Sequence, residues 1–385
     1  MAGELSNQEA ERLVLEGAHA LRDGRFAVAR DRFDTVTKTG RANAQIWLLL
    51  ATTCRAQKDA TGEEAALDAL LQVEPRSIRG RIMKGDRRAG AGDGGSALGF
   101  YMSALQLAAG QTLPNDLAAE MRRAEAAVAD LKARRIANRE QALASKGAPP
   151  EGRSPRFQQS LDILSGAKQA FVQNPTGYYF PELAPIQFFD PDQFSWAAGI
   201  EAATGAIRAE LDRLLAAGTA GFKPYIRSDP NRPRMNDTPL LDSMNWSAMF
   251  LCENGEVFPD AVAKCPETWA RVQAAPMPFI ANSPTVFFSV LRAGARIAPH
   301  TGTHNTRLIC HLPLIVPPGC GFRVGNEERG WDVGKLLIFD DTIEHEAWNE
   351  SGEDRVVLIF EIWRPELSEQ ERREVGALFY ASSLE

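Results

Sequence analysis

The sequence predicts a multidomain α + β chain, with a helical repeat region first and a β-rich domain of sandwich or jelly-roll type after it. Three observations carry this prediction. From residue 8 to 110 apolar residues recur at helical spacing, and no strand-like alternation interrupts them. The stretch GAPPEGRSP (147–155) breaks helix propagation and reads as a boundary. Beyond it Phe, Pro, Trp and Tyr become frequent, and runs of apolar β-formers alternate with turn residues.

The helical segments are EAERLVLEGAHAL, FAVARDRFDTV, AQIWLLLATTC and AALDALLQV. A period of 34 lies beneath them: Gly17, Ala51 and Gly85 are small at that interval, and Phe33, Leu67 and Tyr101 are bulky. Val14, Leu48 and Ile82 make a third series, Ala29 matches Ala97, and Pro75 sits where a repeat should end. Small residues let paired helices approach closely, and bulky ones fill the groove beside them. Residues 1–114 therefore resemble tetratricopeptide repeats (TPR), about three degenerate copies. The middle copy is the weakest, with Glu63 where a small Ala belongs. Residues 115–152 read as a helical linker, a charged Ala-rich helix over 115–146 with Asn115 or Asp116 as its N-cap, followed by the breaker.

Residues 153–385 form the β-rich domain. Its strands are expected at TVFFSVLR (285–292), RLICHLPLIV (307–316), CGFRV (320–324), KLLIF (335–339) and RVVLIFEIW (355–363), separated by turn chemistry in RAGA, PPG, VGNEERG and ESGED. The tail LSEQERREVGALFYASS returns to helix.

Composition bounds the function classes. A chain that is 44% hydrophobic and 24% charged is an ordinary globular one. A net charge of −7 argues against a nucleic-acid-binding surface. No apolar run reaches the roughly 18 residues that a membrane span needs. The start lacks the basic, apolar and cleavage regions of a signal peptide, and the five scattered cysteines include no CxxC pair. Reduced thiols and a cytoplasmic location are the expectation.

Chemistry concentrates in the histidines. There are five, His19, His300, His304, His311 and His345, and four of them fall within residues 300–345. Neutral imidazole is the commonest side-chain metal ligand. His300 ends the extended stretch ARIAPH before a glycine turn, and His345 follows KLLIF in FDDTIEHEAWN. Strands of a jelly roll are neighbours even when some 45 residues apart, so the two can meet at a barrel mouth. Iron oxygenases bind metal with two His and one carboxylate, the carboxylate two residues after the first His. Here that position is Gly302. On spacing alone, a two-His metal site and a pair of satisfied turn or core histidines both remain open. His304 reads as a surface or supporting residue, His19 as structural, and Asp340 and Asp341 as turn formers or partners of His345.

The stretches SVLRAGARIAPHTG, RLICHLPLIVPPGCGFRVGNEERGW and GKLLIFDDTIEHEAWNESGEDRVVLIFEIWRPELSEQER resemble the catalytic domain of the aspartyl/asparaginyl β-hydroxylase family, and GYYFPELAPIQFFD and CPETWARVQAAP fit upstream. The resemblance covers most of 155–385. It implies a double-stranded β-helix (jelly-roll, cupin-like) fold and oxidation by Fe(II), 2-oxoglutarate as cosubstrate and O₂. The family's first iron ligand belongs to an H-x-G motif, as His300-Thr301-Gly302 does here. Metal held by His300 and His345 alone is what this implies. It further implies that Arg355 binds the far carboxylate of 2-oxoglutarate, a task suited to a planar bidentate fork, with Ser289 and His311 as further cosubstrate contacts. One departure stands out. Ile309 occupies the place of a second family arginine; Arg307, on the same strand face as Ile309 and His311, is the candidate substitute.

The expected activity is hydroxylation of the β-carbon of Asp or Asn in a protein or peptide, with the helical repeats docking that substrate. The same chemistry on a small molecule or lipid is the alternative. Halogenation through the vacant carboxylate place, or a non-catalytic TPR-based interaction protein, would be the remaining readings. The substrate, the oligomeric state and the partner of the repeats are not written in the sequence.

Overall fold

The computed structural model describes residues 5–218, 221–231 and 238–383. The chain divides into two units, Met1–Gln158 and Gln159–Glu385.

The first unit is helical. Six helices pair in succession: α1 (Asn7–Arg22) with α2 (Phe26–Thr37), α3 (Ala44–Ala56) with α4 (Ala60–Val73), and α5 (Ile78–Gly90) with α6 (Gly94–Ala108). Short polar side chains fix where all of them but α2 start. Ser6, Asn43, Asp59, Ser77 and Asp93 each accept a hydrogen bond from the backbone N–H three residues on, which satisfies an otherwise orphaned donor. Asn43 and Ser77 lie 34 apart, as do Asp59 and Asp93, so the caps carry the repeat as well as the core does. The small-against-bulky reading is realised in packing. A Cβ on Gly17 would lie 2.8 Å from Cε1 of Phe33, and one on Gly85 only 2.6 Å from Cε1 of Tyr101. Glu63, the misfit of the middle copy, is buried and takes Nε of Arg55 at 2.7 Å. Helix α7 (Asn115–Ser145) follows. Its N-cap position is Pro114, without a side-chain cap, so neither Asn115 nor Asp116 caps it; Asp116 lies in the first turn, where a negative charge suits the helix dipole. Helix α8 (Pro155–Ser165) leads into the second unit.

The second unit is built on two antiparallel sheets. Its elements are β1 (Phe188–Phe189), α9 (Ala197–Ala202), α10 (Thr204–Ala216), β2 (Lys223–Pro224), β3 (Trp246–Glu253), β4 (Glu256–Val257), α11 (Pro259–Lys264), α12 (Pro266–Val272), β5 (Val286–Leu291), β6 (Arg296–His300), β7 (Arg307–Ile315), β8 (Cys320–Val324), β9 (Glu327–Arg329), β10 (Leu337–Phe339), β11 (His345–Asn349), β12 (Arg355–Trp363) and α13 (Glu369–Ser382). The larger sheet runs β1-β10-β7-β12-β5-β3-β2 with β4 paired to β3; the smaller runs β6-β11-β8-β9.

Period-two alternation explains why long apolar runs serve here. Val356, Leu358, Phe360 and Ile362 of β12 join Leu308, Cys310 and Leu312 of β7 in a core shared with Ile200, Ile207, Leu211 and Val272 of the helices. The other face of the same strands, with Ile309, Val357 and Ile359, packs against Ile297, Phe322, Val324 and Ala347 of the smaller sheet. The larger sheet is thus covered on both sides, by helices on one and by the second sheet on the other. Strand β3 (WSAMFLCE) has no counterpart in the sequence-based expectation. It is buried along nearly its whole length and lacks the polar alternation that would mark it. The expected C-terminal helix is α13, begun by a reciprocal capping box between Ser368 and Glu371.

Candidate active site

The smaller sheet places the two histidines. His300 ends β6 and His345 begins β11, and the register pairs them directly across the antiparallel ladder. Their ring centroids are 4.1 Å apart. Each Nδ1 sits on the carbonyl two residues back, His300 on Ala298 at 2.8 Å and His345 on Ile343 at 3.1 Å. A proton donated from Nδ1 to these carbonyls leaves Nε2 as the lone-pair atom, the orientation a metal ligand needs. His345 is buried, and its pKa is pushed down to about 3 by desolvation and then by His300. His300 opens to solvent at the rim, yet desolvation by the surrounding protein lowers it as well. Both rings are neutral near pH 7.

The place where a carboxylate would follow His300 is closed from the other side. Gly302 donates its N–H to the carbonyl of Asp341 at 2.7 Å, and a Cβ on Gly302 would lie 2.0 Å from Oδ2 of Asp341. No side chain fits at 302 while Asp341 stands there. Burial raises the Asp341 carboxyl to about 6, although Arg307 works against this. Among the described residues, no group of three or more His, Cys, Asp and Glu side chains forms a metal-holding cluster.

Between the sheets lies a cavity of about 660 Å³, lined by His300, Gly302 and His345 together with Ser289, Arg307, His311 and Arg355. All six of the sequence-predicted site side chains therefore face one space. Arg355 opens β12, is buried, and leaves Nε and Nη2 without partners. Desolvation lowers its pKa to about 10, which still leaves it charged at neutral pH. Its guanidinium carbon lies 5.0 Å from the ring centre of Trp331, on which His311 stacks at 5.4 Å. His311 is buried with Nδ1 unpartnered, and its pKa falls well below the ordinary value through desolvation and then Arg355. Ser289 Oγ accepts from Nε1 of Trp246 at 3.1 Å, leaving its own proton to donate.

Arg307 differs from Arg355. It pairs with Glu361 and, at 3.3 Å, with Asp341; these charges raise its pKa against the desolvation that would lower it. Glu361 went unread in the sequence, although an acid inside the apolar run RVVLIFEIW signals a buried charge that must have a partner. Trp246 and Tyr225 were also missed, because β3 and its neighbour β2 were. His304 is not at the surface: it is buried, hydrogen-bonded through Nδ1 to Oγ1 of Thr306 at 2.8 Å, and set 4.9 Å from Phe379. His19 is exposed beside Arg22. Asp340 accepts from Thr342 within the turn and forms a fully buried ion pair with Arg364 at 2.6 Å.

Comparison with known proteins finds relatives of this unit. The mouse (Mus musculus) protein called aspartyl/asparaginyl beta-hydroxylase is 36% identical over 143 residues, 37% of this chain and 19% of that protein. An ornithine lipid ester-linked acyl 2-hydroxylase of Rhizobium tropici is 36% identical over 189 residues, 48% of this chain and 63% of that protein. Aspartate beta-hydroxylase domain-containing protein 2 of Homo sapiens is 33% identical over 217 residues, 54% of this chain and 55% of the other. The chain thus spans less than two thirds of each relative's length. For the helical unit, the crystal structure of PcrH with the chaperone-binding region of PopD matches 35% of this chain and 99% of that one, at 21% identity and a TM-score of 0.32. The profile of the family described as Aspartyl/Asparaginyl beta-hydroxylase matches residues 201–365. With its histidine pair and cavity inside that match, the C-terminal unit of this chain is similar to the aspartyl/asparaginyl β-hydroxylase family.

Proposed function

We propose that this domain is a Fe(II)- and 2-oxoglutarate-dependent dioxygenase that hydroxylates an aliphatic carbon, and that its two sheets are the halves of a double-stranded β-helix. The observation that supports it most is the cross-strand pair His300–His345, neutral and 4.1 Å apart, in one cavity with the unpartnered guanidinium of Arg355. Two imidazoles suit iron, and buried donors without acceptors suit a dicarboxylate. When bound, iron with 2-oxoglutarate supplies oxygen activation, decarboxylation of the cosubstrate to succinate and transfer of an oxygen atom to the substrate.

The chain's own residues position these parts. His300 and His345 would hold the metal, their orientation set by the Ala298 and Ile343 carbonyls. Arg355, kept in place by Trp331, would take the distal carboxylate of 2-oxoglutarate with the Ser289 hydroxyl, and His311 would meet its other end. Gly302 offers no ligand atom of its own where a carboxylate would follow His300, and a side chain there would meet Asp341. The apolar walls keep solvent from the reacting atoms.

Two substrate classes are compatible with this chemistry. The family points to the β-carbon of Asp or Asn in a peptide, docked by helical repeats whose stacked pairs build an elongated surface. The Rhizobium tropici relative, named for acyl 2-hydroxylation, supports a lipid chain as the second reading. The decisive test of the reaction class is NMR detection of succinate formed from 2-oxoglutarate under air with Fe(II). Turnover that is lost in His345→Ala, with an unchanged circular dichroism spectrum, is expected; turnover retained in that variant would remove the assignment.

A further inference from the structure

The charges along the cavity bear on what it oxidises, an inference that rests on the hydroxylase reading. Arg307 and Arg355 both line the cavity, but only Arg307 has acidic partners. Arg307 is bound to Glu361 through Nη1 and to Asp341 through Nη2, so two carboxylates face one guanidinium. Glu361 is itself buried and doubly held, since its second oxygen accepts the hydroxyl proton of Ser283. Both terminal nitrogens of Arg307 are thus held by carboxylates that offset its charge, and only its Nε is left without a partner. Arg355 has no acidic partner, and the dianionic cosubstrate accounts for it. Among the described residues, nothing else along the cavity carries a positive charge toward a second anion.

Much of the rest of the wall is apolar, with Thr238, Thr285, Thr301 and Thr303 as its uncharged polar members. Tyr225 stacks on Trp246 at 4.1 Å and on Phe287 at 5.1 Å, and Leu240, Ile309 and Ile359 continue the surface. Ile309 lies directly opposite Glu361 across the β7–β12 ladder. A substrate carboxylate placed here would give up water, meet hydrocarbon and approach two carboxylates, an arrangement that discriminates by repulsion. A hydrocarbon chain would instead gain burial against aromatic and branched side chains.

We infer that the substrate segment presented to the histidine pair is an uncharged aliphatic chain, and that Glu361 determines this by withholding Arg307 from any substrate carboxylate. Glu361 acts on specificity through Arg307 and is not itself a catalytic residue.

The test uses the full chain loaded with Mn(II), which does not turn over, and 2-oxoglutarate. Calorimetry first measures 2-oxoglutarate binding. Paramagnetic relaxation of ligand protons then follows two probes, N-acetyl-leucine amide and N-acetyl-aspartate α-amide. In the wild-type protein the leucine methyl protons should relax strongly and the aspartate methylene protons weakly. Glu361→Gln, which removes one of the two carboxylate charges on Arg307 and leaves Asp341 as its acidic partner, should raise the affinity of the aspartate probe at least ten-fold and leave 2-oxoglutarate binding within two-fold. If that variant does not fold, Ile309→Arg sets a second cation opposite Glu361 and should produce the same gain. Aspartate relaxation in the wild type equal to that of leucine, relaxation of neither probe, or no gain in the folded variant would overturn the inference. Absence of 2-oxoglutarate binding in the wild type would instead show that the hydroxylase reading has failed, and this inference with it.

Discussion

At the scale of single residues, the site turns on which buried polar atoms have partners. Arg355 has two orphaned nitrogens and no acidic partner, whereas Arg307 has one orphaned nitrogen, Nε, and two acids. Arg355→Ala should therefore weaken 2-oxoglutarate binding by roughly 100-fold, as expected for loss of a desolvated charge pair, and Arg307→Ala should change it far less; calorimetry on the Mn(II) form compares them. Equal losses would mean that both guanidinia grip the cosubstrate. Gly302→Ala is expected to cost about 1–3 kcal/mol, because its Cβ would overlap the Asp341 carboxylate; urea unfolding measures it. His300 and His345 were legible as candidates from their clustering and spacing, and Arg355, Ser289 and His311 only through the family resemblance. The pairing of Arg307 with Glu361 was not, since the two lie 54 residues apart and only the strand register brings them together.

At the scale of elements, sequence periodicity and packing agree best where a small residue faces a ring. Gly85→Ala brings a Cβ to 2.6 Å from Tyr101, so the first unit should lose about 1–3 kcal/mol in chemical denaturation. Gly99→Ala, whose Cβ would have nothing within 4 Å, should instead stabilise its helix by roughly 0.5–1 kcal/mol. Equal effects at the two positions would contradict the repeat packing. The repeats were readable because small and bulky core residues recur every 34 positions. Strand β3 was not, because a segment buried on both faces has no alternation to detect. Strand β11 (HEAWN) was missed for another reason. It is short, and Glu346 within it pairs with Arg296 and Arg323, so it reads locally as a charged turn.

At the scale of the whole molecule, the second unit encloses neutral histidines, and this makes its stability depend on pH. His304 and His345 are pushed down to about 3 by desolvation, and His311 falls well below 6.5. Unfolding releases these rings to bind protons near 6.5, so stability is full above that value and declines as pH falls below it, by about 1.4 kcal/mol per histidine per pH unit. Asp341 opposes this in part. Its folded pKa near 6 exceeds the ordinary 3.8, so its own contribution to stability grows as pH falls from about 6 toward 3.8. The metal-free protein should thus lose Tm between pH 7 and 5.5, and His304→Asn should flatten the slope; a Tm constant over that range would contradict the burial. The central claim, that two imidazoles and one free arginine assemble iron with 2-oxoglutarate without a protein carboxylate, is tested most directly by anaerobic titration of the full chain with Fe(II) and 2-oxoglutarate. The account predicts a weak visible charge-transfer band that saturates at one iron per chain and vanishes in His345→Ala. No band in the wild type, or the same band in the variant, would contradict it.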